Sequence, residues 1–452
     1  MNREEFYSLR DNRSDMCVGT HGYQSVVCVV RAAAPLRGFA DQTTLLTACN
    51  LLSRWCRTVL LDMPDAACHP AIGDTTVGIL ERALNQMRAA DPFGTFELGP
   101  PKSKDTLQLH IGKFLPSARF SVCASGYGWL ASVGHLIPLG DELDNLNPFG
   151  PIAAACLGVA EIFRRAVDER SRHRQVLFDT FSWTSAPETD CAHHPFRPPY
   201  IGNALMVGAG AVGSSTAYCF RAARANGRLT CVDHDGVKIE NLNRSPVFNA
   251  TDCGKAKVRV IHEFLAGSGI EVNAEELDWN EFARKTPRTE WRYDYWLPLA
   301  NERNVRWQIA NAFPPLLIHA STGTSWAVNF GRHIPMQGEC LADRFPQQAD
   351  KAVFRCSTGE VKTKTETGDA ALPFLSCFAG LLVATDIARL GIAGYPHVPN
   401  FGQFGFRNGF YADAFDREAR SGCICTTLPR AIWSDLVKSS PIAGFSNHKL
   451  SH

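Results

Sequence analysis

The stretch from Ala204 to Val258, ALMVGAGAVGSSTAYCFRAARANGRLTCVDHDGVKIENLNRSPVFNATDCGKAKV, constrains the fold more than any other part of the chain. Ala204–Val207 is an apolar run and predicts a buried strand. Gly208, Gly210 and Gly213 follow as G-x-G-x-x-G; Ser214–Ala225 predicts a helix and Leu229–Val232 a second strand ending at Asp233. A β-α-β unit with spaced glycines in its first turn and a carboxylate about 20 residues later is the pattern of a nucleotide-binding parallel sheet. The glycines let backbone N–H groups approach a phosphate closely, and the helix N-terminus adds partial positive charge.

The rest of the chain repeats this unit in weaker form. Asn147–Arg164 (NPFGPIAAACLGVAEIFR) and Leu372–Arg389 (LPFLSCFAGLLVATDIAR) align on a Pro-Phe pair, a run of small residues and an acidic-Ile-x-Arg ending. Ala124-Ser125 precedes Trp129 as Ala320-Ser321 precedes Trp326. Ser25–Val30 and Thr58–Leu61 predict strands around a helix near Thr43–Trp55, and Asp62 closes the second strand as Asp233 does later. Where the second copy has three glycines the first has AAAPLRGFAD, which does not cradle a phosphate in the same way. The predicted class is α/β, two Rossmann-like units in tandem with the first degenerate. Residues 1–181 form the degenerate unit and 201–452 the active one, joined by a Pro-, Ser- and His-rich linker at 182–200. Trp326 to Pro373 is longer than Trp129 to Pro148 by 28 residues. The second copy therefore carries a polar, Gly/Thr-rich insertion, at about 332–371, of the kind that is usually functional in a compact domain.

Composition narrows the partners. Lys+Arg number 46 and Asp+Glu 45, a net charge of +1, which predicts no nucleic-acid partner. No run of ~18 consecutive apolar residues predicts a membrane span. The opening MNREEFYSLRDNRSDM lacks the apolar core of a signal peptide. The 16 cysteines are spread through predicted strands and helices, so most are expected to be reduced core thiols of a cytoplasmic protein.

Four blocks carry a family resemblance over about residues 200–390. Asp233-His234-Asp235 follows the second strand as D-x-D; Asn241-Leu242-Asn243-Arg244 is N-x-x-R; Gly254-Lys255-Ala256-Lys257 is G-x-x-K; Asn301, Arg306 and Asn311 follow in order. This resembles the adenylating domain of the ubiquitin-activating enzyme family, the ThiF/MoeB/HesA-type adenylating enzymes. The two-copy layout resembles members that fuse an inactive and an active adenylation domain as a pseudo-dimer. The resemblance implies ATP bound with Mg²⁺ by Gly208, Gly210, Gly213, Asp233, Asp235, Asn241, Arg244, Lys257 and Asn301, Asp233 taking the ribose and Asn241, Arg244 and Lys257 the phosphates. Arg244 and Lys257 would also act in catalysis by neutralising charge at the α-phosphate. The chain departs from the family at Asn301, which stands where the family's Mg²⁺-binding Asp is expected; Glu302 is the neighbouring substitute. The family also brings an arginine from the partner unit to the phosphates, for which Arg3, Arg10 and Arg13 are candidates.

The resemblance implies two uses for cysteine. A thiolate in or after the crossover loop would take the acyl group as a thioester; Cys356, beside Arg355 in the insertion, is the leading candidate and Cys377, at the start of a helix, the alternative. Relatives carry zinc on two C-x-x-C pairs. Here Cys340 is followed by Asp343 in the second position, the late pair is Cys423 and Cys425, and His333 is the candidate fourth ligand. The expected activity is ATP-dependent activation of a ubiquitin-like protein ending in Gly, for transfer to a ubiquitin-conjugating-type enzyme. The expected setting is a bacterial conjugation system of antiphage type, with a homodimer as one expected assembly. Sulfur-carrier adenylation without a thioester, a non-catalytic nucleotide-binding scaffold and nicotinamide-dependent oxidoreduction are the alternatives; the last leaves N-x-x-R and G-x-x-K unexplained.

Overall fold

The computed structural model describes residues 1–18, 22–103, 105–112, 120–134, 145–168, 170–171, 174–185, 194–287, 290–323, 325–335, 338–344, 372–392, 399–423 and 425. The chain begins with a helix, α1 (Arg3–Val18). Its start is a reciprocal cap: the Asn2 amide N–H donates to the Glu5 carboxylate and the Glu5 N–H to Asn2 Oδ1, at 3.0 and 2.9 Å.

Two units of one topology follow. The first holds β1 (Val27–Arg31), α2 (Phe39–Ser53), β2 (Thr58–Asp62), α3 (Ile79–Ala90), β3 (Thr95–Leu98), β4 (Leu107–Ile111), β5 (Phe120–Tyr127), β6 (Leu130–Gly134), α4 (Phe149–Val167), β7 (Val176–Asp179) and β8 (Thr184–Ser185). The second holds β9 (Tyr200–Val207), α5 (Ala211–Ala222), β10 (Asn226–Val232), α6 (Lys257–Leu265), β11 (Gly269–Glu275), α7 (Trp279–Lys285), β12 (Tyr295–Pro298), α8 (Arg303–Ala310), β13 (Leu317–Gly323), β14 (Ala327–His333), α9 (Leu341–Arg344), α10 (Pro373–Leu390), β15 (Phe401–Gly405) and β16 (Tyr411–Phe415). The strand orders are β3-β2-β1-β4-β5-β6-β7-β8 and β11-β10-β9-β12-β13-β14-β15-β16, the same order twice. In each sheet the first five strands are parallel and the last three pair antiparallel. The tandem α/β architecture expected from the repeat is present. The two tryptophans of the repeat are buried beside equivalent hairpins, β5–β6 and β13–β14.

The second glycine turn is tighter than the residue pattern suggests: α5 starts at Ala211, because the Ser214 N–H already reaches the Gly210 carbonyl at 2.9 Å. α10 is long and apolar enough to cross a membrane by length and composition, yet 94% of it is buried as a core helix. One hydrophobic core runs through both units. Aromatic rings cross the boundary: Phe163 lies 5.3 Å from Trp326 and 5.6 Å from Phe374, Phe178 5.7 Å from Phe378, and Trp183 4.5 Å from Phe330. Edge-to-face and tilted pairs of this kind add about 0.5–1.5 kcal/mol each beyond the area they bury, so the units are one folding body rather than beads on a linker.

Candidate active site

The carboxyl ends of β9, β10, β12 and β13 open into a cleft of about 310 Å³. This is where a doubly wound sheet binds its ligand, at the point where strand order reverses direction. Its floor is the glycine turn. Gly208 has φ +102°, and a Cβ there would lie 2.4 Å from the Ala300 backbone nitrogen, so only glycine fits. Gly210 is different: a Cβ would meet nothing within 4 Å, and the residue lines the cleft. The protein itself has no steric need for glycine at 210, and its absent side chain leaves the backbone open to the cleft. Gly213 does not line the cleft; its Cβ would sit 2.1 Å from the Gly208 carbonyl oxygen, so it packs helix on turn. No side chain caps α5, which leaves its first N–H groups facing the cleft at Gly210–Val212.

Asp233 ties the turn to the end of β10. Its Oδ2 accepts from the Ala209 N–H at 2.7 Å and its Oδ1 from the Asp235 N–H at 2.9 Å. The Lys257 ammonium, only 8% exposed, donates to Asp235 at 2.7 Å and lies 4.0 Å from Asp233. Burial pushes the Asp235 carboxyl up, but the hydrogen bond and charge of Lys257 outweigh it and hold the group below its ordinary range. Asn241 spends its carbonyl on the Lys238 N–H at 2.9 Å, closing a turn. Arg244 is held by the Glu240 carbonyl and, at 3.0 Å, by Asn243 Oδ1. Arg306 donates to the Ala300 and Ala320 carbonyls at 2.7 and 3.4 Å, fixing the loop that carries Asn301 and Glu302, both exposed at the rim.

Gly208, Gly210, Asp233, Asp235, Asn241, Arg244, Lys257 and Asn301 therefore meet in one cleft, as does Arg13 of α1. The other two arginine candidates do not. Arg10 is fully buried between Asp11 and Asp91, at 2.6 and 2.5 Å, and Arg3 lies over the Tyr7 ring. Cys377 is fully buried, so its thiol has no access to a ligand in the cleft. Cys356 lies outside the described residues, as does most of the insertion. The wall formed by Leu277–Asn280 has no counterpart in the sequence reading. Its signal was the D-x-x-E start at Asp278, whose carboxylate caps α7 by accepting from the Glu281 N–H at 2.8 Å.

A second cluster lies at the end of β14. Ligand atoms of His333, Cys340 and Cys425 fall within 4.8 Å of one another, and Cys423 Sγ is 3.0 Å from Cys425 Sγ. All four side chains are buried. Three thiols and an imidazole at this closeness are the donor set of a closed tetrahedral zinc site. Asp343, the second position of the first pair, lies beside Cys423 and His333 provides the remaining nitrogen.

A model of the ThiF family matches residues 202–423, and a model of the BilD N-terminal domain matches residues 28–179. A protein of Sinorhizobium fredii (strain NBRC 101917 / NGR234), described as "Uncharacterized protein y4jF", is 29% identical over 192 residues, 41% of this chain and 36% of the relative. The match thus spans little more than a third of that curated relative's length.

Proposed function

Starting from the match of residues 202–423 to the ThiF family, we propose that the chain adenylates the C-terminal carboxylate of a ubiquitin-like or sulfur-carrier protein. The observation that carries this reading is the uncapped glycine turn, with open space at Gly210, in a cleft lined by cations, three of which are Arg13 from α1 and Arg244 and Lys257 from the second unit. A nicotinamide site needs the glycines and Asp233 but not this concentration of charge.

In the proposed reaction a carboxylate oxygen of the carrier attacks the α-phosphorus of ATP. The bond from that phosphorus to the bridging oxygen breaks, and pyrophosphate leaves. Asp233 accepts the ribose hydroxyls. The α5 N-terminus and the three cations hold the phosphates and stabilise charge that grows on their oxygens. A nucleotide phosphate also competes with Asp235 for Lys257. Mg²⁺ would be held by the oxygens of Glu302 and Asn301 and would neutralise phosphate charge. Zinc would be held by His333, Cys340, Cys423 and Cys425, pinning β14 and the segment after β16 to one point; such sites contribute folding energy.

We further propose that a thiolate then attacks the acyl carbonyl and releases AMP, forming a thioester passed to a conjugating-type partner. Cys356 is the sequence candidate. A cytoplasmic bacterial conjugation system with an antiphage role is the setting we propose. The test is ATP–pyrophosphate exchange with ubiquitin-like proteins ending in Gly: exchange is the expected result, and none with any such carrier sinks the reading. Exchange without a thiol-reducible carrier adduct, unchanged in Cys356→Ala, favours sulfur-carrier activation instead. Metal analysis of the purified chain tests zinc, with about one equivalent expected and loss in Cys340→Ser.

A further inference from the structure

The loop that presents Asn241 and Arg244 to the cleft is not held by its own unit alone. Its backbone carbonyls turn inward chiefly onto one side chain of the other unit, Arg54, the residue that ends α2. Arg54 Nη1 donates to the Leu242 and Phe248 carbonyls at 2.7 and 3.1 Å, and Nη2 to the Pro246 carbonyl at 2.9 Å. Its Nε donates to Asn50 Oδ1 at 2.7 Å, and the Asn50 amide in turn donates to the Pro246 carbonyl at 3.0 Å.

The guanidinium is almost wholly buried, and among the described residues no carboxylate pairs with it. A buried charge without a counter-ion is costly unless its donors are satisfied. Here loop carbonyls supply the acceptors. The exchange works both ways: the carbonyls of Leu242, Pro246 and Phe248 lie in a turn where no regular ladder takes them, and the fork of a planar guanidinium spans several acceptors at once, as an ammonium does not. Arg54 is thus the hub of the eight-residue Asn241–Phe248 loop, which also carries the cleft residues Asn241 and Arg244.

We propose that Arg54 is a positioning residue for nucleotide phosphates, acting through the Asn241–Phe248 loop, and that this is what the degenerate unit contributes to the site besides Arg13. The inference rests on the adenylation reading above. It separates a role in phosphate geometry from simple adhesion between units, because loosening the loop disturbs Arg244 and Asn241 but leaves the ribose carboxylate Asp233, on β10, in place.

The test uses the full chain and two probes, ATP and adenosine, with dissociation constants measured by titration calorimetry and ligand-observed NMR. Arg54→Met is expected to weaken ATP about 10- to 100-fold, the scale of lost hydrogen bonds to a charged group, with adenosine within about twofold of the parent. In an Arg244→Ala background the same change is expected to weaken ATP by less than about threefold further, since both act through one group. Arg54→Lys, which keeps the charge but not the fork, should fall between. If Arg54→Met does not fold, Asn50→Ala removes one brace and is expected to weaken ATP about 3- to 10-fold with adenosine unchanged. ATP affinity unchanged, or ATP and adenosine weakened equally, overturns the proposal. A parent protein that binds no ATP overturns the adenylation reading itself, a distinct result.

Discussion

The two units end their first strands differently, and among the described residues the large cleft lies at the second. In the second unit Val207 pairs with Val232, the chain turns at Gly208, and Asp233 is left to accept backbone N–H groups beside an open space. In the first, β1 runs on: Arg31 pairs with Asp62 and with His110 in the neighbouring strands. Aligning the carboxylates Asp62 and Asp233 sets Arg31 opposite Gly208. Its guanidinium lies 2.8 Å from Asp62 and 3.4 Å from the side-chain Oε1 of Gln108, which His110 Nε2 also approaches at 3.3 Å. One side chain thus fills the place of a ligand and neutralises the acid that would bind it. Strand order alone does not make such a cleft; the turn that follows the strand, GAGAVG in the second unit and AAAPLRGFAD in the first, decides it together with the residue at the strand's end.

The largest expected effect that sharpens this contrast is at the two carboxylates. Asp233→Ala should lower ATP affinity at least about 100-fold and abolish exchange, since a charged acceptor is removed; Asp62→Ala should leave both unchanged. Equal effects at the two positions would break the comparison. Next come the glycines. Gly208→Ala forces a Cβ against the Ala300 nitrogen at positive φ and should cost about 2–4 kcal/mol in urea unfolding. Gly210→Ala should leave stability within about 0.5 kcal/mol while weakening ATP roughly tenfold, because its methyl enters the ligand's space rather than the protein's.

A pH effect belongs to the first unit. Burial, then the charge of Arg31, lowers the His110 pKa from 6.5 to about 4. A group depressed in the folded state binds fewer protons than in the unfolded chain, so stability is full above pH 6.5 and drains as pH falls toward 4. Unfolding free energies from urea titrations at pH 7 and 5 should differ by on the order of 1–2 kcal/mol, a difference that His110→Gln should remove. The smallest effect is Arg31→Met: an ion pair whose side chains are 24% and 22% exposed is worth about 1 kcal/mol, and nucleotide stoichiometry should stay at one per chain, because the first unit also lacks the glycine turn. A second bound nucleotide would show that Arg31 alone closes the first unit.

Much of this was legible in the residues. The glycine spacing, Asp233 and the repeat of small-residue helices lead directly to two α/β units, because local backbone demands and helix packing are written in residue size. The side chains of the cysteine–histidine cluster were legible as types but not as a set: His333 lies far from Cys423 in sequence, and only the return of the chain after β16 brings them together. Helix α1 was missed although Asn2 and Glu5 spell a capping box, since its mostly polar surface has no strong apolar stripe.

By itself the sequence determined which unit has the glycine turn and which residues surround it, because glycine at positive φ and a strand-ending carboxylate are requirements of a few neighbouring atoms. Tertiary structure alone decided that Arg13, rather than Arg10 or Arg3, enters the cleft, and that Arg54 takes the carbonyls of a loop nearly two hundred residues away. Those choices depend on how two separately built sheets meet across a shared core. A residue's own neighbours along the chain carry no record of that meeting.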